Sequence, residues 1–212
     1  SNHPGEMEVL CQIAEPDYGL VTNIGKEHLE GFGNIEGVAR EESYLYLYLK
    51  EKGGMCFVNT EDPWLKSMSD RLSNKFTYGT GKDDLDVKTA LLNSFPGVKA
   101  GIAGTDLEIT SQLPGAFNLE NITAAIAVGM FFKVPLPDIK SAIEEYVPGN
   151  KRSQIVNTES YTILLDCYNA NPTSMEMALK SFAGINLLPK AIILGDMLEM
   201  GEHSLHEHEL IA

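Results

Sequence analysis

The sequence is short of several kinds of residue, and each shortage argues against a class of protein. Only 3 of its 212 residues are cysteines, too few and too widely spaced for a disulfide framework. It contains no run of about 18 consecutive apolar residues, so we predict no membrane span. Lysine and arginine total 16 against 30 acidic residues, and the formal net charge of −14 argues against a nucleic-acid or anionic-membrane surface. We therefore expect a cytoplasmic protein with reduced, mostly buried thiols.

Three further features are missing from the sequence. The amino terminus has no basic segment followed by an apolar one, so we expect no signal peptide. It also has no initiator methionine, so we expect a fragment of a longer protein. The phosphate-binding pattern G-x-x-x-x-G-K-[ST] does not occur. What the sequence does contain is an ordinary globular composition, with 43% hydrophobic and 22% charged residues.

Short apolar runs alternate with helical patterns in the first part of the chain. Residues 18–24 and 55–59 are predicted to be strands. Between them, Asn34 is a plausible N-cap for a helix that ends at Gly53. This strand, helix, strand order predicts a parallel sheet with a right-handed crossover. Residues 84–113 instead alternate like antiparallel strands separated by turn residues.

A break divides the later part of the chain. Helices are predicted over 117–132 and 136–148, and Pro148-Gly149-Asn150 then interrupts the pattern as the preferred domain boundary. Beyond it the alternation of strands and helices restarts, with a further strand predicted at 190–196. We therefore predict an α/β fold: a mostly parallel sheet with an added antiparallel section, followed by an incomplete second α/β unit.

Polar loops follow several predicted strands or precede predicted helices, where open α/β sheets bind ligands. In the first, His28 is a candidate metal ligand or general base, because imidazole titrates near neutrality and often binds metals. A surface histidine without function is the alternative, and the neighbouring Glu30 and glycines leave both interpretations open. The four loops are 23–33, 115–121, 166–175 and 195–204.

The loop "DCYNANP" has the most polar groups. Asp166 ends a predicted strand, and an acid at that position is suited to hydrogen-bonding a ribose diol. Tyr168 and Asn169 add an aromatic face and an amide. The alternative is an Asx-rich turn that caps the following helix, a role suited to Asn171 or Thr173. The number of polar groups favours a functional site.

Two other residues are weaker candidates from spacing alone. Asn121 is expected in the first turn of an apolar helix, where free backbone N–H groups favour polar ligands, but simple capping explains it equally well. Arg152 is either a phosphate clamp or a solvated linker charge. A zinc site is disfavoured, because His206 and His208 are two residues apart rather than four and would point to different sides of a helix.

Taken in order, four motifs resemble successive signatures of the Mur ligase family of peptidoglycan synthesis. They are "SNHPGEM", "TNIGKEHLEGFG", "YNANPTSM" and "LGDMLEMGEHS". The resemblance runs over essentially the whole chain. It implies that residues 1–150 are the later part of a central ATP-binding domain and that residues 151–212 open a C-terminal Rossmann-like domain. A fragment of this kind is not expected to be active alone.

The resemblance also implies a reaction and its participants. The motifs are most similar to those of the member that joins D-alanyl-D-alanine to UDP-N-acetylmuramoyl-tripeptide with ATP and Mg²⁺. The tripeptide carboxylate takes the γ-phosphate to give an acyl phosphate, and the amine of D-alanyl-D-alanine then displaces phosphate. A monomer with no nucleic-acid partner is expected.

By position in these motifs, the resemblance assigns roles to individual residues. His28 matches a metal-binding histidine, Asn121 the asparagine that contacts adenine, and Asp166 the ribose-binding acid. Arg152 matches an arginine that reaches the nucleotide from the interdomain hinge. Residues with less specific roles are Tyr168 and Asn169 in the nucleotide pocket and Asn2 and His3 near the substrate.

The chain departs from the family pattern at two places. Phe117 stands where the family usually has histidine, a change expected to alter packing only. Glu42 is aligned with a lysine that is carbamylated in relatives and helps hold magnesium, and no lysine occurs between Lys26 and Lys50. Either the metal site is rebuilt around Glu42 or catalysis is weakened. The alternatives are therefore a binding or scaffolding module and a ligase similar to folylpolyglutamate synthases, against which "YNANPTSM" argues.

Overall fold

A computed structural model describes residues 1–81 and 84–212, and it contains one six-stranded sheet and one two-stranded sheet. The strands of the large sheet lie in sequence order. The first four are parallel neighbours, and the last three are antiparallel neighbours. This arrangement confirms the predicted α/β fold with an added antiparallel section. The strands are β1 Tyr18–Val21, β2 Met55–Asn59, β3 Lys75–Gly79, β4 Val87–Asn93, β5 Lys99–Ile102 and β6 Glu108–Thr110.

Within the described residues, six helices accompany the large sheet. Asn34 caps its helix by accepting a hydrogen bond from the Gly37 N–H at 2.8 Å. Gly53 ends that helix with a φ of 74°, a conformation that glycine adopts without strain. The helices are α1 Glu6–Ala14, α2 Leu29–Phe32, α3 Ile35–Lys52, α4 Pro63–Ser69, α5 Asn118–Phe131 and α6 Leu136–Glu145. Three of them, α3, α5 and α6, begin within one residue of the predicted start.

The parallel strands are covered by helices on both faces, which explains their continuous apolar sequences. Alternate residues of β2 belong to different cores. Phe57 packs in the core beneath α5, whereas Cys56 and Val58 pack in the core beneath α3 and α4. The carboxyl ends of β1 and β2 lead into residues 22–33 and 60–62, so the His28 loop lies at the ligand-binding edge of the sheet.

Residues 151–212 form a smaller unit. Strands β7 Gln154–Asn157 and β8 Thr162–Leu165 make an antiparallel hairpin, followed by helices α7 Pro172–Ala183 and α8 Ser204–Ile211. A short 3₁₀ turn, Gly201–His203, precedes α8.

The prediction of a strand at 190–196 is wrong. These residues have no strand hydrogen bonding, and the side chain of Ile193 is 99% exposed. An apolar run becomes a strand only when a neighbouring strand satisfies its backbone, and the β7–β8 hairpin does not extend to it. Within residues 1–81 and 84–212, every helix is too short or too polar to cross a membrane.

Candidate functional site

A path of hydrogen bonds connects two residues that were predicted to bind the same nucleotide. Asn121 donates to the side-chain oxygen of Asn118 at 3.2 Å, and Asn118 donates to Ser153 Oγ at 3.1 Å. The backbone N–H of Ser153 donates to Asp166 Oδ1 at 3.3 Å. Helix α5 and strand β8 thereby bring Asn121 and Asp166 to one place, although they lie in different predicted domains.

Sequence analysis did not identify the two central residues of this path. Asn118 is 4% exposed and Ser153 is 8% exposed, so both polar side chains need partners within the protein. Asn118 also donates to the carbonyl of Pro114 at 2.7 Å, which fixes the loop before α5. The available signal was the position of Asn118, one helical turn before Asn121 on the same face.

Arg152 and Tyr168 lie against each other beside Asp166. The guanidinium carbon of Arg152 is 3.9 Å from the centre of the Tyr168 ring, a cation–π arrangement. The residues on either side of Arg152 have left-handed backbones, with φ 59° at Lys151 and 47° at Ser153. The Cys167 N–H donates to the Lys151 carbonyl at 2.8 Å, which keeps this bend beside the end of β8.

The electrostatic surroundings of Asp166 combine opposing effects. Withdrawal from water on its protein-facing side raises the pKa of the carboxyl, while the Ser153 N–H and the Arg152 charge lower it less strongly. The outer side of the residue is exposed and open to a ligand. A sugar hydroxyl would replace the lost water as a hydrogen-bond partner.

The two asparagines after Tyr168 differ in what they do. Asn171 caps α7: its side chain accepts from the Ser174 N–H at 2.8 Å, and Ser174 Oγ accepts from the Asn171 N–H at 3.2 Å. The capping explanation is therefore confirmed for Asn171. Asn169 is exposed in the same loop, and its role in the nucleotide pocket stays a prediction.

The loop that contains His28 is held in an uncommon backbone conformation. His28 has φ 50° and precedes the short helix α2. Gly31 allows close packing on the amino terminus, since a Cβ there would lie 2.1 Å from the Asn2 carbonyl oxygen. At Gly25 a Cβ would lie 3.3 Å from Thr173 Oγ1. These glycines thus bring the loop close to Asn2 on one side and to α7 on the other.

An open cleft of about 800 Å³ lies beside this loop, and its walls include Ser1, Asn2, Glu6 and His28. Asn2 also contacts His3, with 2.9 Å between its Oδ1 and the His3 Nδ1. His28, a predicted metal ligand, and Asn2, a predicted substrate-binding residue, therefore lie on the same cleft.

Glu42 reaches the wall of this cleft through Ser1, whose hydroxyl donates to Glu42 Oε1 at 2.9 Å. The carboxylate of Glu27 is near enough to Glu42 for their negative charges to repel each other. Burial raises the pKa of Glu27, and the nearby charge of Glu42 raises it further. Sequence analysis missed Glu27, although it directly precedes His28.

The residues around His28 would hold a magnesium ion only if substrate phosphates and waters supply its remaining ligands. In the described part of the chain, no three His, Cys, Asp or Glu side chains converge into a metal site. Magnesium usually keeps several waters and binds one or two carboxylates together with substrate phosphates. His28 and one carboxylate, together with substrate phosphates and waters, would suit that mode, and a cation there would offset the repulsion between Glu27 and Glu42.

Residues 170–211 pack on the other side of the His28 loop. Leu29 forms a small apolar cluster with Met197 and Met200. Lys26 Nζ lies 2.6 Å from Glu207 Oε1, and the Lys26 N–H donates to Thr173 Oγ1 at 2.9 Å. The loop is therefore fixed by contacts from both parts of the chain.

Two histidines of the carboxyl-terminal segment have protein partners. His203 Nε2 lies 2.9 Å from the carbonyl oxygen of Gly33. His208 Nε2 lies 2.7 Å from Asp196 Oδ1. Both therefore help to hold the carboxyl-terminal segment in place.

Comparison with known proteins matches this architecture to two family descriptions. Residues 1–129 match "Mur ligase middle domain", and residues 151–212 match "Mur ligase, glutamate ligase domain". The two matches lie on either side of the break that the sequence predicts at 148–150.

Individual proteins with similar sequences or structures support the same family assignment. The UDP-N-acetylmuramoyl-tripeptide--D-alanyl-D-alanine ligase of Bacillus subtilis is 32% identical over 202 residues, covering 93% of this chain and 43% of that protein. The protein of the same name from Buchnera aphidicola is 30% identical, covering 100% of this chain and 46% of its own. A crystal structure of MurF from Acinetobacter baumannii superimposes with a TM-score of 0.85 at 27% identity, covering 100% of this chain and 47% of its own. The chain spans less than half the length of each of these relatives.

Proposed function

Since the chain belongs to the Mur ligase family, we propose that it supplies the nucleotide- and metal-binding groups of a ligase that joins D-alanyl-D-alanine to UDP-N-acetylmuramoyl-tripeptide. The observation that carries this proposal is the hydrogen-bonded path from Asn121 to Asp166. It brings together an amide suited to adenine and a carboxylate suited to ribose, at the junction of the two matched regions.

Different side chains around this path bind different parts of ATP in this proposal. The amide of Asn121 pairs with the polar edge of adenine, and Asp166 accepts from the ribose hydroxyls. Arg152, stacked on Tyr168, presents its guanidinium to phosphate oxygens, which the planar fork binds in pairs. Asn169 lines the outer wall. These contacts orient the nucleotide relative to the cleft beside His28.

At the cleft, we assign His28 and Glu42 to Mg²⁺ and Asn2 and His3 to the acceptor substrate. A magnesium ion held by these residues would supply charge neutralisation for crowded phosphate oxygens. His28 lies on the wall of this cleft, and Glu42 contacts the wall through the hydroxyl of Ser1, which supports this assignment. Packing of residues 170–211 against the loop excludes water from this side of the site.

The division of the chain follows from the same proposal. Residues 1–150 belong to the ATP-binding domain, and residues 151–212 belong to the ligase domain. The hinge between them contains Arg152 and two left-handed residues. The substrates are nucleotide-linked precursors, so we place the enzyme in the cytoplasm as a monomer.

One observation favours a second candidate, a binding or scaffolding module without catalysis. Glu42 has a shorter side chain than the carbamylated lysine expected there, and it is already engaged by Ser1. A folylpolyglutamate-synthase-like ligase is less well supported, because the relatives described above are named as UDP-N-acetylmuramoyl-tripeptide--D-alanyl-D-alanine ligases.

The test is phosphate release by the full-length protein with UDP-N-acetylmuramoyl-tripeptide, D-alanyl-D-alanine and Mg-ATP. We expect release that depends on both acceptor substrates, and its loss in Asp166→Asn but not in Glu159→Gln, a change at an exposed turn of the same unit. Nucleotide binding without any release would support the scaffolding module instead. Release that requires glutamate rather than D-alanyl-D-alanine would support the third candidate.

A further inference from the structure

The segment Asp196–His203 lies against the His28 loop through backbone, apolar and side-chain contacts. The Glu30 N–H donates to the Glu199 carbonyl at 3.0 Å. Gly201 packs so closely that a Cβ there would lie 3.3 Å from Glu30 Cα. Met197 and Met200, each 2% exposed, flank this contact and pack on Leu29. The position of Glu199 is therefore fixed on both sides.

Both residues at the centre of the contact have left-handed backbones. His28 has φ 50° and Glu199 has φ 59°, values that residues other than glycine rarely adopt. Such conformations persist only where the surrounding structure holds them, and they concentrate at functional sites. Together they direct the carboxylate of Glu199 onto Nδ1 of the His28 ring, where the two groups form a hydrogen bond.

We propose that Glu199 is a positioning residue for His28: it holds the proton on Nδ1, so that Nε2 is the nitrogen available to a divalent cation. The two nitrogens of a neutral imidazole differ, and the partner of one determines the role of the other. Carboxylates that hold metal-binding histidines in this way also fix the orientation of the ring. This inference rests on the proposed function, because that function assigns the cation to His28.

A purely stabilising role explains the contact less well. The side chain of Glu199 is 54% exposed, and exposed ion pairs contribute little to stability. The apolar contacts of Met197 and Met200 already hold the segment in place. The carboxylate is thus free to act on the tautomer and orientation of the ring.

The test compares Glu199→Ala and Glu199→Gln with Glu202→Ala, a change at an exposed acid of the same segment. The first readout is the ¹⁵N NMR spectrum of the His28 ring in the metal-free full-length protein, at a pH where the ring is neutral. We expect Nδ1–H in the unchanged protein and in Glu202→Ala, and a shift toward Nε2–H in Glu199→Ala. The second readout is Mn²⁺ binding in the presence of ADP, measured by electron paramagnetic resonance, where Glu199→Ala should weaken affinity about 10- to 100-fold.

The two variants at position 199 separate positioning from folding. Glu199→Gln keeps the shape of the side chain and an acceptor oxygen, so its folding and the Nδ1–H tautomer should match the unchanged protein, and its Mn²⁺ affinity should fall less than that of Glu199→Ala. An unchanged tautomer and unchanged Mn²⁺ affinity in both variants would overturn the proposal. Failure of the proposed function would show differently, as absence of phosphate release from the unchanged protein whatever the tautomer.

Discussion

Asn118 and Ser153 join the two parts of the chain by a buried hydrogen bond, with 3.1 Å between Asn118 Nδ2 and Ser153 Oγ. Asn118 lies in the region that matches the middle domain, and Ser153 lies in the region that matches the ligase domain. The residues proposed to bind adenine and ribose, Asn121 and Asp166, each hydrogen-bond to one member of this pair. The pair therefore sets the distance between the two ends of the nucleoside site.

Replacing Asn118 with alanine should affect both stability and binding. The change leaves the Pro114 carbonyl and the Ser153 hydroxyl without a buried partner, so we expect the free energy of unfolding to fall by about 1–3 kcal/mol. ADP affinity should fall as well, because Asn121 loses the acceptor that holds its amide. Urea unfolding and calorimetric titration with ADP measure the two effects.

The matched change is Asn121→Ala at the exposed end of the same path. It should weaken ADP binding with a smaller loss of stability, since it removes one partly buried hydrogen bond, to Asn118 Oδ1, and leaves the Pro114 and Ser153 contacts intact. If Asn118→Ala lost no more stability than Asn121→Ala, the buried pair would not hold the two parts together.

The stacked pair of Arg152 and Tyr168 gives a second prediction. Tyr168→Ala removes the aromatic face that holds the guanidinium, and exposed cation–π pairs are worth about 0.5–1 kcal/mol. ADP affinity should therefore fall about two- to fivefold. Tyr168→Phe keeps the ring and should bind like the unchanged protein; a full loss in Tyr168→Phe would mean that the hydroxyl, not the ring, is the important group.

Glu42 is the position at which the metal site departs from its relatives. If Glu42 is a rebuilt ligand, Glu42→Gln should raise the Mg²⁺ concentration needed for half-maximal phosphate release, and Glu42→Lys should lower activity further by placing a cation beside the ion. Activity gained in Glu42→Lys would instead identify a degenerate site that the family's residue repairs. Glu36→Gln, an exposed change on the same helix, is the control.

Much of the fold could be predicted because its elements depend on local chemistry. Asn34 and Gly53 mark the ends of α3 in the sequence, and the apolar run of β2 needs burial on both faces. Helix α1 was not predicted, since Gly5 before it provides no capping side chain and Glu15 after it is not a usual helix stop. The strand expected at 190–196 failed for a different reason, because a strand depends on a partner elsewhere in the chain.

Residues of the candidate site could be predicted only where one local sequence motif indicates their function. His28 and Asp166 occur in recognisable loops, and the structure places each at a cleft or path with other predicted residues. Asn118, Ser153 and Glu199 were not identified, because their partners lie 35 to 171 positions away. Pairings of that kind follow from tertiary packing, which the local pattern does not encode.

His208 predicts a pH dependence in the carboxyl-terminal segment. Hydrogen bonding to the Ser204 carbonyl, and then to Asp196, raises the pKa of His208 above its usual 6.5, against partial desolvation. Since the folded state binds the proton more tightly, the stabilisation is complete below about pH 6.5 and is lost as the pH rises through the raised pKa. Amide hydrogen exchange of α8 should therefore quicken over that interval beyond the intrinsic effect of pH. His208→Gln should remove this extra change, and His206→Gln, at an exposed position of the same helix, should not.

The ion pair of Lys26 and Glu207 gives the last prediction, because its two members are exposed to different extents. Glu207 is 6% exposed, while the Lys26 side chain keeps 41% of its surface. Lys26→Met leaves a buried carboxylate without its partner, so the free energy of unfolding should fall by about 1–3 kcal/mol. Adding Glu207→Gln to that variant should recover part of the loss, since the neutral amide costs less to bury. Lys50→Met, at the exposed end of α3, is the control. An equal loss in Lys26→Met and Lys50→Met, or no recovery in the double variant, would mean that the apolar cluster of Leu29, Met197 and Met200 holds this contact without the ion pair.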